Sequence, residues 1–156
     1  MDIILKICYY ILCGDNMSLN RNEARVKAMT ILYQVSLYEK NKIDYNIEEI
    51  INDSIVNNDE FVIMLVKGVI NNLSKLDDIA NKYLGSWPIN RLGLTDANIM
   101  RCAIYEMLFT DIDGKIVINE AIEISKKYSD RTIYEPLGYH SSAVFHPRGG
   151  QRLLER

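Results

Sequence analysis

Apolar residues recur at helical spacing through most of this sequence, from about residue 20 to residue 128. No segment in that range shows sustained alternation of apolar and polar residues, which is typical of a half-buried strand. Glycine and proline, which interrupt helices, are sparse before residue 135. A chain of 156 residues is long enough to bury a core as one domain. The sequence therefore predicts a single all-α domain.

Capping residues predict where several of these helices begin and end. Asn20 and Glu23 have the spacing of a capping box, so the first helix is expected to start there. Gly85 is a favourable residue for ending a helix, and Thr95 is predicted to cap the next long one. The remaining helices are predicted at residues 46–56, 59–84, 96–109 and 116–128, with a short helical piece at residues 89–92.

Two of these helices have distinct apolar patterns. The helix at residues 96–109 is apolar on most sides and is expected to be the most buried, with Cys102 as a small core residue rather than a reactive thiol. The helix at residues 116–128 is expected to be amphipathic, with Glu123, Lys126 and Lys127 facing water. Its predicted inward residues are Val117, Ala121, Ile124 and Tyr128.

Net charge and cysteine content limit the classes of function. The net charge of −3 and the isoelectric point of about 5.4 argue against non-specific coating of nucleic acid, although a local basic site is compatible with both. Three cysteines without a cluster of metal-ligand type favour a reducing, cytoplasmic compartment over a disulfide framework.

Both ends of the chain differ from its middle. Residues 1–16 contain an apolar run that is too short to span a bilayer and lacks the features of a signal peptide. They are interpreted as an atypical N-terminal extension, with Met17 as an alternative start. Residues 135–156 contain no Ile, Asn, Lys or Asp and are interpreted as an atypical, irregular tail. The helical domain is accordingly predicted at residues 17–134.

Residues suited to catalysis or metal binding are few. His140 and His146 both lie in the atypical tail, and no glycine-rich phosphate-binding loop occurs. The segment DIDGKIVINE has part of the spacing of a calcium loop, but Phe109 supplies no oxygen at the first position. A polar turn that caps the next helix is the favoured interpretation. The sequence predicts no enzyme activity, metal or cofactor.

The first helix has a basic start. Arg21 and Arg25 are about 40° apart around a helix axis, whereas Lys27 lies roughly 160° from Arg25. Such residues can bracket an extended RNA strand at a helix start, where free backbone N–H groups favour anions. Tyr33 and Gln34 would add a stacking ring and an amide. The alternative to RNA binding is that these charges are simply solvated at the helix end. The charges alone favour this alternative.

Five motifs occur in unbroken order between about residues 21 and 130, and together they resemble the NusB family of transcription antitermination factors. Each motif alone is weak, whereas their order is specific. The motifs are Ala24-Arg25 with Leu32-Tyr33-Gln34, Gly68-Val69, Trp87 followed by Arg91-Leu92, Arg101 with Tyr105-Glu106, and Ile118-Asn119-Glu120-Ala121.

The resemblance implies an all-α fold of two packed helical groups and a binding protein rather than an enzyme. It implies binding of boxA-like single-stranded RNA together with the ribosomal protein NusE, in support of read-through by the transcription elongation complex in ribosomal RNA operons. It also implies a separate NusE-binding face around residues 101–106 and 115–127. The RNA-binding residues carried over by position are Arg21, Arg25, Lys27, Tyr33 and Gln34.

Two departures and two alternatives accompany the resemblance. Many family members have a denser run of arginines at the first helix, so RNA affinity is expected to depend on NusE. The family's last helix is replaced here by a segment in which Pro136 and Gly138 oppose helix formation, which predicts a less stable fold.

The alternative functions are a helical adaptor that binds only protein and the NusB-like module of a ribosomal RNA methyltransferase. The latter is disfavoured because the chain has no room for a catalytic domain.

Overall fold

The computed structural model of the protein describes residues 19–55 and 59–129. Within these ranges the chain forms α-helices and one short 3-10 helix, with no strand, so the predicted all-α fold is confirmed. The predicted extension at residues 1–16 and the predicted tail at residues 135–156 lie outside the described residues. The helices are α1 (Arg21–Lys40), α2 (Ile47–Ser54), α3 (Glu60–Asn71), α4 (Leu73–Leu84), the 3-10 helix (Ile89–Arg91), α5 (Leu94–Phe109) and α6 (Gly114–Tyr128).

The helices form two compact units, divided between Asn71 and Asn72. In the first unit, α1 packs against α3 and, less extensively, against α2. The predicted capping box is present at the start of α1. The side chain of Asn20 accepts a hydrogen bond from the Glu23 N–H at 2.9 Å, and the Glu23 carboxylate accepts one from the Asn20 N–H at 3.0 Å. Two backbone donors that would otherwise lack helical partners are thereby satisfied.

The predicted single helix over residues 59–84 is wrong, because the structure contains two helices there. Asn72 has φ −117° and ψ 15° and separates α3 from α4. Two consecutive asparagines, at positions 71 and 72, lie at the interruption, and asparagine has a low helix propensity, although the Asn72 side chain makes no capping hydrogen bond there. The predicted end of α4 at Gly85 is confirmed, and Gly85 has a φ of +66° that residues with a side chain rarely adopt.

In the second unit, α5 packs against both α4 and α6. The prediction that Thr95 caps α5 is wrong, since the helix begins one residue earlier, at Leu94, and follows Gly93. The buried middle of α5 includes Cys102, as predicted. Its last turn is not buried, because Leu108 and Phe109 are exposed. Apolar composition alone does not distinguish a core turn from an exposed one.

The prediction for α6 is largely confirmed. The four predicted inward residues are buried, and Glu123, Lys126 and Lys127 are exposed. The helix begins at Gly114 rather than Ile116, because the Asp113 side chain accepts a hydrogen bond from the Lys115 N–H at 2.8 Å and extends the helix backwards. The favoured interpretation of the DIDGK segment as a capping turn is thereby confirmed. None of the helices in the described ranges has the length and apolar character needed to cross a membrane.

Candidate RNA interface at the start of the first helix

Two of the five predicted RNA-binding residues lie together over one aromatic ring. The guanidinium carbon of Arg21 is 4.2 Å from the centroid of the Phe61 ring, and that of Arg25 is 5.6 Å from the same centroid. Arg21 and Arg25 are one helical turn apart on α1, and Phe61 is in the first turn of α3. Both distances are within the range of cation–π attraction. The packing of α1 against α3 therefore sets the position of both cations.

The two arginines differ in their access to a ligand. Arg25 is only 6% exposed, so most of its side chain belongs to the interior of the first unit. Arg21 is exposed, although its guanidinium lies on the Phe61 ring. Arg21 is consequently the cation at this helix start that is both held in place and open to solvent.

The start of α1 carries negative charge as well as positive charge. In the capping box, the Glu23 carboxylate binds the Asn20 N–H, and the Asn20 side chain occupies the Glu23 N–H. These two donors are therefore satisfied within the protein and do not offer hydrogen bonds to an anion. The Glu23 carboxylate also places a negative charge in the first turn of the helix that carries the cations predicted to bind RNA. Attraction for a phosphate at this site consequently depends on the arginine and lysine side chains.

Lys27, Tyr33 and Gln34 are not brought to the Phe61 ring. Lys27 is half-buried, and desolvation by burial lowers its pKa below the ordinary value for lysine. Tyr33 is also half-buried. The amide of Gln34 donates a hydrogen bond to the Tyr38 hydroxyl at 2.9 Å. Since each helical residue rises about 1.5 Å, Gln34 lies about 20 Å along the axis from Arg21, so only an extended ligand reaches both.

Gln34 belongs to a cluster of aromatic and acidic side chains toward the end of α1. The rings of Tyr38 and Tyr45 have centroids 6.0 Å apart, and the Tyr45 hydroxyl donates to the Glu39 carboxylate at 2.8 Å. Desolvation and this carboxylate raise the pKa of Tyr45. The tyrosine cluster therefore offers rings and hydrogen-bonding groups but also a negative charge.

A second surface lies at the end of α5 and the start of α6, which belong to the second unit. The rings of Tyr105 and Phe109 stack with centroids 4.9 Å apart, and the Lys75 ammonium lies 5.0 Å from the Phe109 centroid. Leu108, Phe109 and Ile116 are exposed by 49%, 45% and 53%. Large apolar side chains grouped on a surface are typical of protein-binding sites.

Two residues of the family-like motif near this surface act inside the protein. Arg101 forms a two-pronged contact with Asp77, with Nε–Oδ1 and Nη2–Oδ2 distances of 2.7 and 2.8 Å, and its Nη1 donates to Asn98 at 3.2 Å. Glu106 is 1% exposed. Arg101 therefore connects α5 to α4 within the second unit, and neither Arg101 nor Glu106 presents much surface to a partner.

Sequence reasoning did not identify Phe61 or the Arg101–Asp77 pair. Phe61 and Arg21 are 40 positions apart, and Asp77 and Arg101 are 24 apart, so both contacts depend on packing between different helices. Periodicity within one helix carries no information about such partners. No group of three His, Cys, Asp or Glu side chains arranged for a metal ion occurs in residues 19–55 and 59–129. His140 and His146 lie outside those ranges.

The fold and the basic helix start define an all-helical protein with a candidate nucleic-acid interface. The model of the NusB family matches residues 22–135, which is most of the chain. The chain belongs to the NusB family of transcription antitermination proteins.

Two curated relatives illustrate the extent of the similarity. Transcription antitermination protein NusB of Chloroherpeton thalassium is 37% identical over 117 residues, and the match covers 72% of this chain but 55% of that protein. The NusB protein of Staphylococcus aureus is 37% identical over 123 residues, which cover 75% of this chain and 92% of that protein. The similarity therefore includes nearly the whole length of some relatives.

Two solved structures share the fold. NusB of T. maritima superposes with a TM-score of 0.69 at 28% identity, covering 90% of this chain and 94% of that chain. A chain from the crystal structure of antitermination factors NusB and NusE in complex with double-stranded RNA superposes with a TM-score of 0.59 at 26% identity. That match covers 80% of this chain and 95% of the other.

Proposed function

We propose that this protein acts in antitermination by binding boxA-like single-stranded RNA together with the ribosomal protein NusE. The RNA is nascent, and the protein works with the transcription elongation complex to support read-through in ribosomal RNA operons. A related structure that contains NusB, NusE and double-stranded RNA supports the combination of NusE and RNA as partners, and the single-stranded form of the RNA rests on the family resemblance. The proposed compartment is the cytoplasm, where a free thiol such as buried Cys102 stays reduced.

The observation that carries RNA binding is the exposed Arg21 guanidinium held on Phe61 at the start of α1. An arginine can bind phosphate through paired N–H groups and can also stack on a base. Lys27 adds a cation on another flank of the helix, and Tyr33 lies two turns further along. Because Lys27 lies roughly 160° around the axis from Arg25, an extended strand would have to pass across the helix start and around α1 to meet these groups, whereas a compact ligand would meet only one.

The proposed NusE-binding surface is the exposed apolar group at the end of α5 and the start of α6. Ile116 falls within residues 115–127, one of the two ranges implied by the family resemblance, and Leu108 and Phe109 lie in the last turn of α5, just after the other range, residues 101–106. Leu108, Phe109 and Ile116 supply apolar area, and Lys75 adds a cation beside Phe109. A partner covering these side chains would remove exposed hydrocarbon from water, which favours association.

The protein is proposed to act by binding rather than by catalysis. Its relatives carry the name of a transcription antitermination protein, and its described surface features are an arginine-bearing helix start and an apolar patch. A protein-only adaptor is the second candidate function, favoured by the capping-box carboxylate of Glu23 that opposes RNA at the helix start.

Titration of a labelled boxA-like RNA, with and without NusE, separates the two functions. Binding that weakens with salt is expected for the wild type, and NusE is expected to strengthen it. Replacing both arginines, as Arg21→Ala with Arg25→Ala, should weaken binding and flatten the salt slope by about one unit for each phosphate that is no longer bound. The single variant Arg21→Ala repeats the test without changing the buried Arg25.

Lys40→Ala is the matched control, since Lys40 is an exposed cation in the last turn of the same helix. It should leave the affinity and salt slope close to those of the wild type. Unchanged affinity and salt slope in the double arginine variant would place the RNA site elsewhere. Formation of a NusE complex that binds no RNA would favour the protein-only adaptor.

A further inference from the structure

The Phe61 ring supports the Arg21 guanidinium from one side. The guanidinium carbon lies over the ring, 4.2 Å from its centroid, which is close enough for direct contact between the group and the face of the ring. A guanidinium is planar and has two faces. Because one side of the Arg21 group lies against Phe61, the exposure of Arg21 falls mainly on its opposite side and its N–H edges.

Phe61 is itself held firmly. The Asp59 side chain accepts hydrogen bonds from the N–H groups of Phe61 and Val62 at 2.9 and 3.2 Å, which fixes the first turn of α3. The Phe61 ring is buried, and the buried Arg25 lies near the same ring. Phe61 therefore provides a fixed surface, and ordering of the long Arg21 side chain is achieved before any ligand arrives.

We infer that Phe61 is a positioning residue for RNA binding and that Arg21 presents the outer face of its guanidinium to an unpaired base. The resulting arrangement is a three-layer stack of Phe61, Arg21 and the base. Bases of single-stranded RNA commonly stack on arginine planes as well as on aromatic rings. This inference rests on the proposed RNA-binding function and specifies how one of its residues acts.

A stacking role differs measurably from a purely electrostatic one. A lysine at position 21 keeps the positive charge but has no planar group to place between a ring and a base. Arg21→Lys is therefore expected to lower RNA affinity by about five- to 150-fold, the range that corresponds to the loss of one base–aromatic stack. The salt slope, which counts phosphate contacts, should change little.

The test uses the full chain and a single-stranded oligoribonucleotide of about 12 nucleotides, within the usual size of such sites. A set of probes carries one abasic position each, moved along the strand. For the wild type, one abasic position should weaken binding by about the same factor as Arg21→Lys. In Arg21→Lys that position should no longer matter, because the guanidinium on which the base stacks is absent.

Variants at position 61 test the positioning role separately. Phe61→Tyr preserves the ring and should keep both the affinity and the abasic penalty. Phe61→Leu removes the aromatic face and should reduce both in the same way as Arg21→Lys. Thermal unfolding of each variant checks that the fold persists. If Phe61→Leu fails to fold, Arg21→Lys still tests the stack, because Arg21 is exposed and its replacement leaves the core unchanged.

The outcomes separate this inference from the proposed function. A wild type that does not bind the oligoribonucleotide, alone or with NusE, overturns the proposed function. A wild type that binds, with Arg21→Lys equal to it in affinity and in abasic penalty, leaves RNA binding intact and overturns the stack. Loss of the abasic penalty in Arg21→Lys, with the salt slope preserved, supports the stack.

Discussion

The Arg21 guanidinium lies 4.2 Å from the centroid of the Phe61 ring and thereby joins the first turn of α1 to the first turn of α3. The contact connects the stability of the first unit to its candidate function. The same packing that covers Phe61 orders an exposed cation at a helix start. A surface arginine without such support would have to lose its side-chain freedom upon binding, which reduces affinity.

The capping box predicts a variant with stronger RNA binding. Glu23→Gln is expected to keep the box, because glutamine also bonds the N-cap N–H, while it removes a negative charge from the first turn of α1, the helix that carries the predicted RNA-binding cations. Affinity for single-stranded RNA should rise by about two- to five-fold at low salt, and the gain should shrink as salt screens the charges. Titration of labelled RNA at several salt concentrations measures both effects.

Asn20→Ala is the companion variant for stability. It removes the side-chain acceptor of the Glu23 N–H and should lower the free energy of unfolding by about 1 kcal/mol. Glu23→Gln, in contrast, should leave the thermal midpoint nearly unchanged. A Glu23→Gln protein that binds RNA no better than the wild type would show that this carboxylate does not act on the RNA site.

The Arg101–Asp77 pair predicts a large effect on stability. Arg101→Ala should lower the free energy of unfolding by about 2–3 kcal/mol, because it leaves the partly buried Asp77 without its two charged hydrogen bonds. Arg101→Lys should recover only part of that difference, since an ammonium cannot form the paired contact. Denaturant unfolding gives the comparison.

A matched ion pair in the same unit serves as the control. Lys126 and Glu123 are 2.9 Å apart but both side chains are largely exposed, so Lys126→Ala should cost less than about 1 kcal/mol. Equal losses of stability for Arg101→Ala and Lys126→Ala would mean that the paired geometry and burial of Arg101 add nothing to stability.

Asp96 predicts an ordered series of stability losses. Its carboxylate accepts hydrogen bonds from the Ser129 hydroxyl at 2.8 Å and from the Ser125 hydroxyl at 3.4 Å, and it ties the end of α6 to the start of α5. Ser129→Ala should cost about 1 kcal/mol and Ser125→Ala less, because the longer contact is weaker. Asp96→Ala should cost most, since it removes both acceptors. A larger loss of unfolding free energy for Ser125→Ala than for Ser129→Ala, measured by chemical unfolding, would contradict the view that the Ser129 hydrogen bond is the stronger one.

Local patterns in the sequence were sufficient for much of the helical structure. The Asn20–Glu23 spacing predicted the capping box, and helical periodicity predicted the buried face of α6. Both features depend on residues within about one or two turns of each other. The break at Asn72 was missed because the apolar pattern continues across it, while a local backbone preference ends the helix.

The candidate site was predictable in its residues and not in its geometry. Periodicity placed Arg21 and Arg25 on one side of α1, and the structure shows both at one ring. Sequence alone did not reveal that Phe61 supplies the ring or that Arg25 is buried, because both facts arise from packing between α1 and α3. The predicted tail at residues 135–156 lies outside the described residues, so the expected lower stability stays a prediction.

Lys27 gives a prediction in which stability and binding change in opposite directions. Burial lowers the pKa of Lys27, so between the native and unfolded pKa values the unfolded chain binds more protons. The free energy of unfolding should consequently rise with pH through that alkaline window. Lys27→Met should remove this rise and should stabilise the protein at neutral pH, where charged Lys27 is poorly solvated.

The same variant should bind RNA more weakly, with a salt slope smaller by about one unit if Lys27 contacts phosphate. Unfolding titrations of both proteins from neutral to alkaline pH, with RNA titrations in parallel, measure these effects. If Lys27→Met is less stable than the wild type at neutral pH, and its free energy of unfolding rises with alkaline pH as in the wild type, burial of charged Lys27 is not the cause of that rise.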